Sequence, residues 1–256
     1  MVRKRYEWRG LTRSSNWVLQ PDAFARIGGQ TTSITAGVWT SYGLAADGSE
    51  DIGFGRGFFR ETNLWGELAT VVFGHLDVSL GWAGYWFRID SAAGTIPRVR
   101  DTHELYVRLS NLSLPVIVPQ ISVFHDVDAV RGTYAEGSLA IRIPVWPRLI
   151  LPIGSIDVTW TTGLSFNQSR PPPDLAYYDS DGVTHHQLGI ATAFGPLNSV
   201  NSPFTLAVHV AWQHQWNVDG QTKMTSAVRS RGYQHWMEFG LSLWGPRCRP
   251  SRRICL

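Results

Sequence analysis

The chain is short of cysteine, of charge and of long apolar runs, and each shortage removes a class of protein. Its only cysteines, Cys248 and Cys255, both stand in the C-terminal tail. No disulfide framework or cysteine-based zinc site can therefore organise the body, and a bridge between the two would close only a small loop. No apolar run approaches the ~20 residues of a membrane-spanning helix, so any membrane contact has to come from strands. Charged residues are 17% of the chain against 43% hydrophobic. The net charge of +3 is set by the ends: Arg3, Lys4, Arg5, Arg247, Arg249, Arg252 and Arg253 are seven cations, and setting them aside leaves −4 for residues 6–245. The basic pI near 9.0 therefore describes two tails and no basic face, which removes the support for a nucleic-acid partner. Behind the basic start Met1-Val2-Arg3-Lys4-Arg5 no apolar h-region follows. An exported protein with this start is expected to be a mature chain or one whose start falls inside the first strand.

What the chain has in quantity is period-two alternation. In Thr102–Leu109, Leu105, Val107 and Leu109 alternate with Glu104, Tyr106 and Arg108. Beyond Tyr134, Ala135, Leu139, Ile141 and Ile143 oppose Glu136, Ser138 and Arg142; Ile156, Val158, Trp160 and Leu164 oppose Asp157, Thr159 and Thr161; Leu206, Val208, Val210 and Trp212 oppose His209, Gln213 and Gln215. Alternation over such lengths specifies strands with one apolar face. It predicts strands near 5–11, 17–28, 32–42, 63–73, 76–89, 102–111, 116–127, 131–145, 155–166, 184–194, 203–216 and 233–244. Most are near the ~9–11 residues of a tilted transmembrane strand and longer than the ~5–6 of soluble sheets.

Connections alternate between tight (28–31, 74–75, 112–115) and long, polar and Gly/Pro-rich (44–62, 90–101, 167–183, 217–232), the asymmetry of outer-membrane barrels. The connection at 126–130 is short on the long side, and those at 146–154 and 195–202 exceed a tight turn. Trp39, Tyr42, Trp65, Trp82, Tyr85, Trp86, Trp146, Trp160, Trp212, Trp216, Trp236 and Trp244 lie mostly toward strand ends, where an amphipathic ring suits a membrane interface. The alternative is a soluble sandwich core, whose strands seldom run this long. The expected fold is all-β: a single closed antiparallel transmembrane β-barrel, an up-and-down meander of about 12 strands over residues 1–245, with a basic, disordered tail at 246–256.

The opening Tyr6-Glu7-Trp8-Arg9-Gly10-Leu11-Thr12-Arg13-Ser14, then Gln20-Pro21 and Ala36-Gly37-Val38-Trp39-Thr40-Ser41, resembles a proteobacterial family of functionally uncharacterised outer-membrane proteins with a Tyr-x-x-Arg-Gly opening. Glu67 opening a strand, Gly81 to Phe87, Thr102-His103-Glu104-Leu105-Tyr106-Val107, and Asp126-Val127-Asp128 followed by Gly132-Thr133-Tyr134 continue the likeness over most of the chain. The resemblance implies a barrel exported to the outer membrane behind a cleaved leader, and assigns no activity or catalytic residue. The chain departs from the pattern at both ends: no leader is visible, and Leu241-Ser242-Leu243-Trp244 is followed by a tail where an aromatic end is expected.

If the apolar face, including Leu105, Leu139, Ile141, Val158, Leu206 and Val208, meets lipid, the polar face lines a lumen with Glu67, Asp77, Glu104, Tyr106, Arg108, Glu136, Arg142, Asp157, His209 and Glu238, joined by Asp22 and Arg26. Charges in a narrow lumen need partners, and Glu104, Arg108, Glu136 and Arg142 are the expected ion-pair ladder. A pore or binding channel for a small polar solute, a closed structural or docking barrel, and an outer-membrane lipid hydrolase all remain open. The hydrolase reading rests on His125, His185, His186, His209, His214 and His235, and lacks a Gly-x-Ser-x-Gly elbow. With no His-Glu-x-x-His and no cysteine pair in the body, neither metal nor cofactor is expected. Membrane lipid and lipopolysaccharide are the expected surroundings. Gly53-Phe54-Gly55-Arg56-Gly57 precedes no helical pattern and so does not cradle phosphate. Arg170-Pro171-Pro172-Pro173 reads as a rigid spacer, and the acids at 47–51 and 174–181 as solvated loops.

Overall fold

The computed structural model describes residues 1–3, 6–8, 11–14, 17–29, 31–44, 57–91, 101–111, 113–114, 116–144, 153–167, 178, 181–194, 205–217 and 233–244. Every regular element among them is a strand: β1 (Val2–Arg3), β2 (Tyr6–Trp8), β3 (Leu11–Ser14), β4 (Val18–Leu19), β5 (Asp22–Gly28), β6 (Thr32–Gly43), β7 (Gly57–Val72), β8 (Leu76–Ser91), β9 (Thr102–Asn111), β10 (Ile117–Asp126), β11 (Thr133–Pro144), β12 (Ile153–Phe166), β13 (Gly182–Phe194), β14 (Thr205–Asn217) and β15 (Tyr233–Trp244). From β5 to β15 each strand pairs antiparallel with the next, and β15 pairs with β1, β1 with β4, and β4 with β6. Because β4 and β5 lie in succession along the same edge of β6, they occupy one strand position, and the meander has twelve. The break between them is Gln20-Pro21. Proline has no N–H for the ladder, but its carbonyl still accepts from the Thr40 N–H at 3.0 Å.

Eleven of the twelve expected strands fall where the alternation puts them. The strand expected at 5–11 does not. Its place beside β15 is taken by β1, while β2 and β3, among the described residues, pair with each other in a separate two-stranded sheet. The expected continuous strand is thus two short ones, and residues 9–10 between them lie outside the described residues. β7 and β8 each run 16 residues, so their pairing continues, to Gly57 opposite Ser91, into segments expected as long loops. The basic tail at 246–256 and the connections at 145–152 and 195–204 lie outside the described residues.

The tight turns close as their residues dictate. Between β7 and β8, Phe73 and Gly74 take φ of 51° and 73°, and the His75 N–H reaches the Val72 carbonyl at 3.2 Å. Between β5 and β6 the Gly29 N–H reaches the Thr32 carbonyl at 2.8 Å. These turns mark one end of the sheet, the turn end. The opposite end, where β6, β8, β10, β12 and β14 finish, is the loop end.

The sheet has two unlike faces. On one, Ile121, Leu105 and Leu241 are 57%, 53% and 71% exposed. On the other, Glu104, Asp126, Tyr134, His185 and Gln215 are buried. All twelve positions belong to one sheet, and β2 and β3 form a separate two-stranded one.

Candidate functional site

Directly paired residues share a face, so the register assigns each side chain its side. Glu67, Asp77, Glu104, Tyr106, Arg108, Glu136, Arg142, Asp157, His209 and Glu238 all fall on the polar face. Leu105, Leu139, Ile141, Val158 and Val208 fall on the other, in pairings such as Ile141 with Val158 and Val208 with Leu241. Leu206, whose side chain lies outside the described residues, is paired with Leu243.

The centre of the polar face is a joint across three strands. Glu67 of β7, Gly81 of β8 and Tyr106 of β9 stand in one cross-strand row. Gly81 has no side chain, and the ring of Tyr106 lies over it, in the space that a β-carbon there would occupy. The phenol thereby crosses β8 and donates to Glu67 Oε2 at 3.1 Å. Arg108 Nη1 donates to the same oxygen at 3.1 Å, and its guanidinium carbon stands 5.6 Å from the Tyr106 ring centroid. The same device recurs: the Trp65 ring lies over Gly37, Tyr134 and His185 over Gly163, and the Gln213 amide over Gly189.

Toward the loop end the face becomes a packed, hydrogen-bonded layer. Tyr85 donates to Glu104 Oε2 at 2.7 Å. Tyr106, Phe124 and Tyr134 stand in one row with ring centroids 5.5 and 6.2 Å apart, and Tyr178 stacks on Tyr134 at 6.3 Å. Tyr134 donates to Glu136 Oε2 at 3.2 Å, and Thr184 Oγ1 lies 3.0 Å from His185 Nδ1. On β13 to β15, Gln187 donates to Gln213 at 3.0 Å and Trp236 to Glu238 at 2.7 Å.

Asp126 accounts for the short connection at the loop end. One carboxylate oxygen accepts the N–H groups of Asp128, Val130 and Arg131 at 3.0, 3.0 and 3.2 Å, and the other accepts from Thr102. A buried carboxylate satisfied by three backbone donors is a turn organiser, and it fixes residues 127–132 into a compact crossing from β10 to β11.

The expected ladder of Glu104, Arg108, Glu136 and Arg142 does not form. Arg108 reaches across β8 to Glu67, and Arg142 pairs with Asp157 directly opposite on β12, at 3.0 and 3.2 Å, near the turn end. Neither arginine bonds to Glu104 or Glu136. The tryptophans also divide in two. Trp82, Trp86, Trp160, Trp212 and Trp216 share the apolar face with His103, His186 and His214, in contacts such as Trp82 stacked on His103 at 5.5 Å and His214 edge-on to Trp216 at 4.3 Å. Trp39, Trp65 and Trp236 stand on the polar face, in register with Asn63, Ala83 and Gln213, so strand-end position alone overstated the interfacial set. Sequence reading also passed over Gln20, Ser41, Glu61, Thr102 and Tyr178, all buried. Parity offered Thr102, whereas Glu61 fell in a segment expected as a long loop. Among the described residues no group of three His, Cys, Asp or Glu side chains converges to hold a metal ion. No protein-family model matches the chain, and no curated protein matches it at a significant level.

Proposed function

We propose that the meander closes into an outer-membrane β-barrel whose polar face lines a narrow conduit for a small polar solute. The observation that carries this reading is the inversion of the two faces. Soluble proteins bury leucine and isoleucine and leave carboxylates wet. Here Leu80, Leu105, Ile121 and Leu241 stay exposed while Glu104, Asp126 and His185 are buried. A continuous apolar face of this extent needs an apolar surrounding, and a hydrocarbon bilayer supplies one to a strand only if no edge is left open.

Closure is supported by the pairings from β15 through β1 and β4 to β6, which link the last strand of the meander to the first. Closure would also let the opposite wall cover the polar face. Twelve is an even count, as single-chain outer-membrane barrels have. The narrowness is supported by the packed layer at the loop end, while Arg108 and Arg142 nearer the turn end keep 37% and 54% of their side chains accessible. The lipid-hydrolase reading gains no observation: His75, His125, His185 and His186 bond to threonine hydroxyls or a backbone carbonyl.

The test is conductance in planar bilayers after insertion has been verified by heat-modifiable gel mobility. The expected result is small, salt-dependent steps that enlarge when Tyr134→Ala opens the packed layer. Inserted protein that conducts in neither form would make this a closed structural barrel. Failure to associate with vesicles at all would refute the membrane reading.

A further inference from the structure

On β10 to β14 the polar face carries a band without charge. One cross-strand row holds Gln120, Ser138, Thr161 and Gln187 and ends at Gln215; the next row toward the turn end holds Val118, Ala140, Thr159, Gly189 and Gln213. No position in either row is acidic or basic. Continued past Ser110 of β9, the first row meets its first charge at Asp77 of β8. The band lies between the buried rings of Tyr134 and His185 on its loop side and the Arg142–Asp157 pair on its turn side. Its amides and hydroxyls at Gln120, Ser138, Thr159, Thr161, Gln187 and Gln213 are all half-buried.

Gln187 donates to Gln213 Oε1 at 3.0 Å and Gln120 donates to Ser122 at 3.3 Å, which holds three amides in place. The Gln213 amide also lies over Gly189, in the space that a β-carbon there would occupy. Gln187 Oε1, Gln213 Nε2 and the hydroxyls of Ser138, Thr159 and Thr161 make no hydrogen bond to protein among the described residues. The loop-end layer is the reverse, since Tyr85, Thr102 and Tyr134 there spend their hydroxyls on carboxylates of the protein itself. An amide oxygen accepts, an amide nitrogen donates and a hydroxyl does both, the mixture that a sugar's hydroxyl groups match. A charged solute finds no counter-charge in the band to offset its lost hydration. Five strands at ~4.8 Å spacing make the row about 19 Å long, enough for more than one sugar ring.

We infer that the solute is an uncharged oligosaccharide that lies along the row from Gln120 to Gln187. This inference rests on the conduit reading for access, and its test is chosen so that the two can fail separately. The full chain in phosphatidylcholine vesicles is titrated with maltotriose by calorimetry, and in planar bilayers the potassium chloride current is followed as maltotriose or gluconate is added. Wild type is expected to bind maltotriose saturably and to lose current over the same concentration range, while gluconate gives no saturable block. Gln187→Leu is expected to raise both half-saturation concentrations about tenfold, the loss of one or two hydrogen bonds. Thr161→Val keeps the volume of the side chain and removes its hydroxyl, and is the second variant should the first fold poorly, with an expected rise of about threefold.

No saturable binding to wild type, half-saturation unchanged in both variants, or stronger block by gluconate would overturn the inference. Binding with the expected losses, in an inserted protein that conducts nothing, would keep the sugar site and overturn the conduit. Conductance that maltotriose does not reduce would keep the conduit and overturn the sugar as its solute.

Discussion

Gly81→Ala is the smallest change that tests the central joint. The added methyl would sit inside the Tyr106 ring, so the ring must leave the wall of β8. Leaving costs the phenol its bond to Glu67 at 3.1 Å, about 1.5–3 kcal/mol for a bond to a carboxylate. It costs the ring its contact with Phe124 at 5.5 Å, about 0.5–1.5 kcal/mol. It also weakens the approach of Arg108, worth about 0.5–1 kcal/mol. Against these, alanine in a strand gains roughly 0.5–1 kcal/mol over glycine in chain entropy. Part of the ring contact is recovered in its new position, and the net expectation is a loss of about 2–3 kcal/mol. The assay is equilibrium unfolding in detergent or vesicles, with Tyr106→Ala and the double variant completing a cycle. Once the ring is gone the methyl has nothing to displace, so Gly81→Ala should be neutral or slightly stabilising in the Tyr106→Ala background. Strict additivity would refute the joint.

Three other changes carry different signs and sizes. Asp126→Ala leaves three backbone N–H groups and the Thr102 hydroxyl without their acceptor and should cost about 3 kcal/mol, with amide exchange accelerated first at residues 127–132; unchanged exchange there would exclude the turn-organising role. Arg142→Met removes a pair that is largely exposed at the turn end and should cost no more than about 0.5 kcal/mol by the same unfolding assay. Leu241→Arg, at an exposed leucine of β15, should cost up to about 2–4 kcal/mol in vesicles, and a neutral result would place that face in water.

Much of this arrangement is legible in the sequence because a strand's period is two. Once Leu105, Val107 and Leu109 share a face, Glu104, Tyr106 and Arg108 must share the other, and one parity assignment per strand sorts the whole set. Partnership across strands is a different kind of information. Tyr106 reaches Glu67, 39 residues away, because the intervening strand has a glycine in the crossing row, and Arg108 joins the same carboxylate oxygen from the row beside it, an arrangement that exists only after three strands are placed in register. The expected ladder failed for this reason: it assumed neighbours in sequence would be neighbours in charge. Arg142 and Asp157 are the opposite case, a directly opposed pair in one hairpin, and a register count from the turn would have found them. The first strand was misplaced because a two-residue strand such as β1 has no periodicity to read.

The glycine rows bear on whether the proposed barrel, with so many aromatics on its polar face, would leave a path through itself. Twelve strands enclose a limited cross-section, and rings pointing at the axis would fill it. Over Gly37, Gly81 and Gly163, however, the rings of Trp65, Tyr106, Tyr134 and His185 lie along the sheet, with their bulk against the backbone of the neighbouring strand. A wall-lying ring narrows a conduit by its thickness and not by its length. Gly81→Ala and Tyr106→Ala should therefore move conductance in opposite directions: the first lifts the ring into the path and lowers the step size, whereas the second removes it and raises the step. A plug makes a different prediction, since a centre already filled conducts nothing for the lifted ring to obstruct. Equal conductance in the two variants would mean that Tyr106 borders no path, and the conduit reading would lose its inner wall.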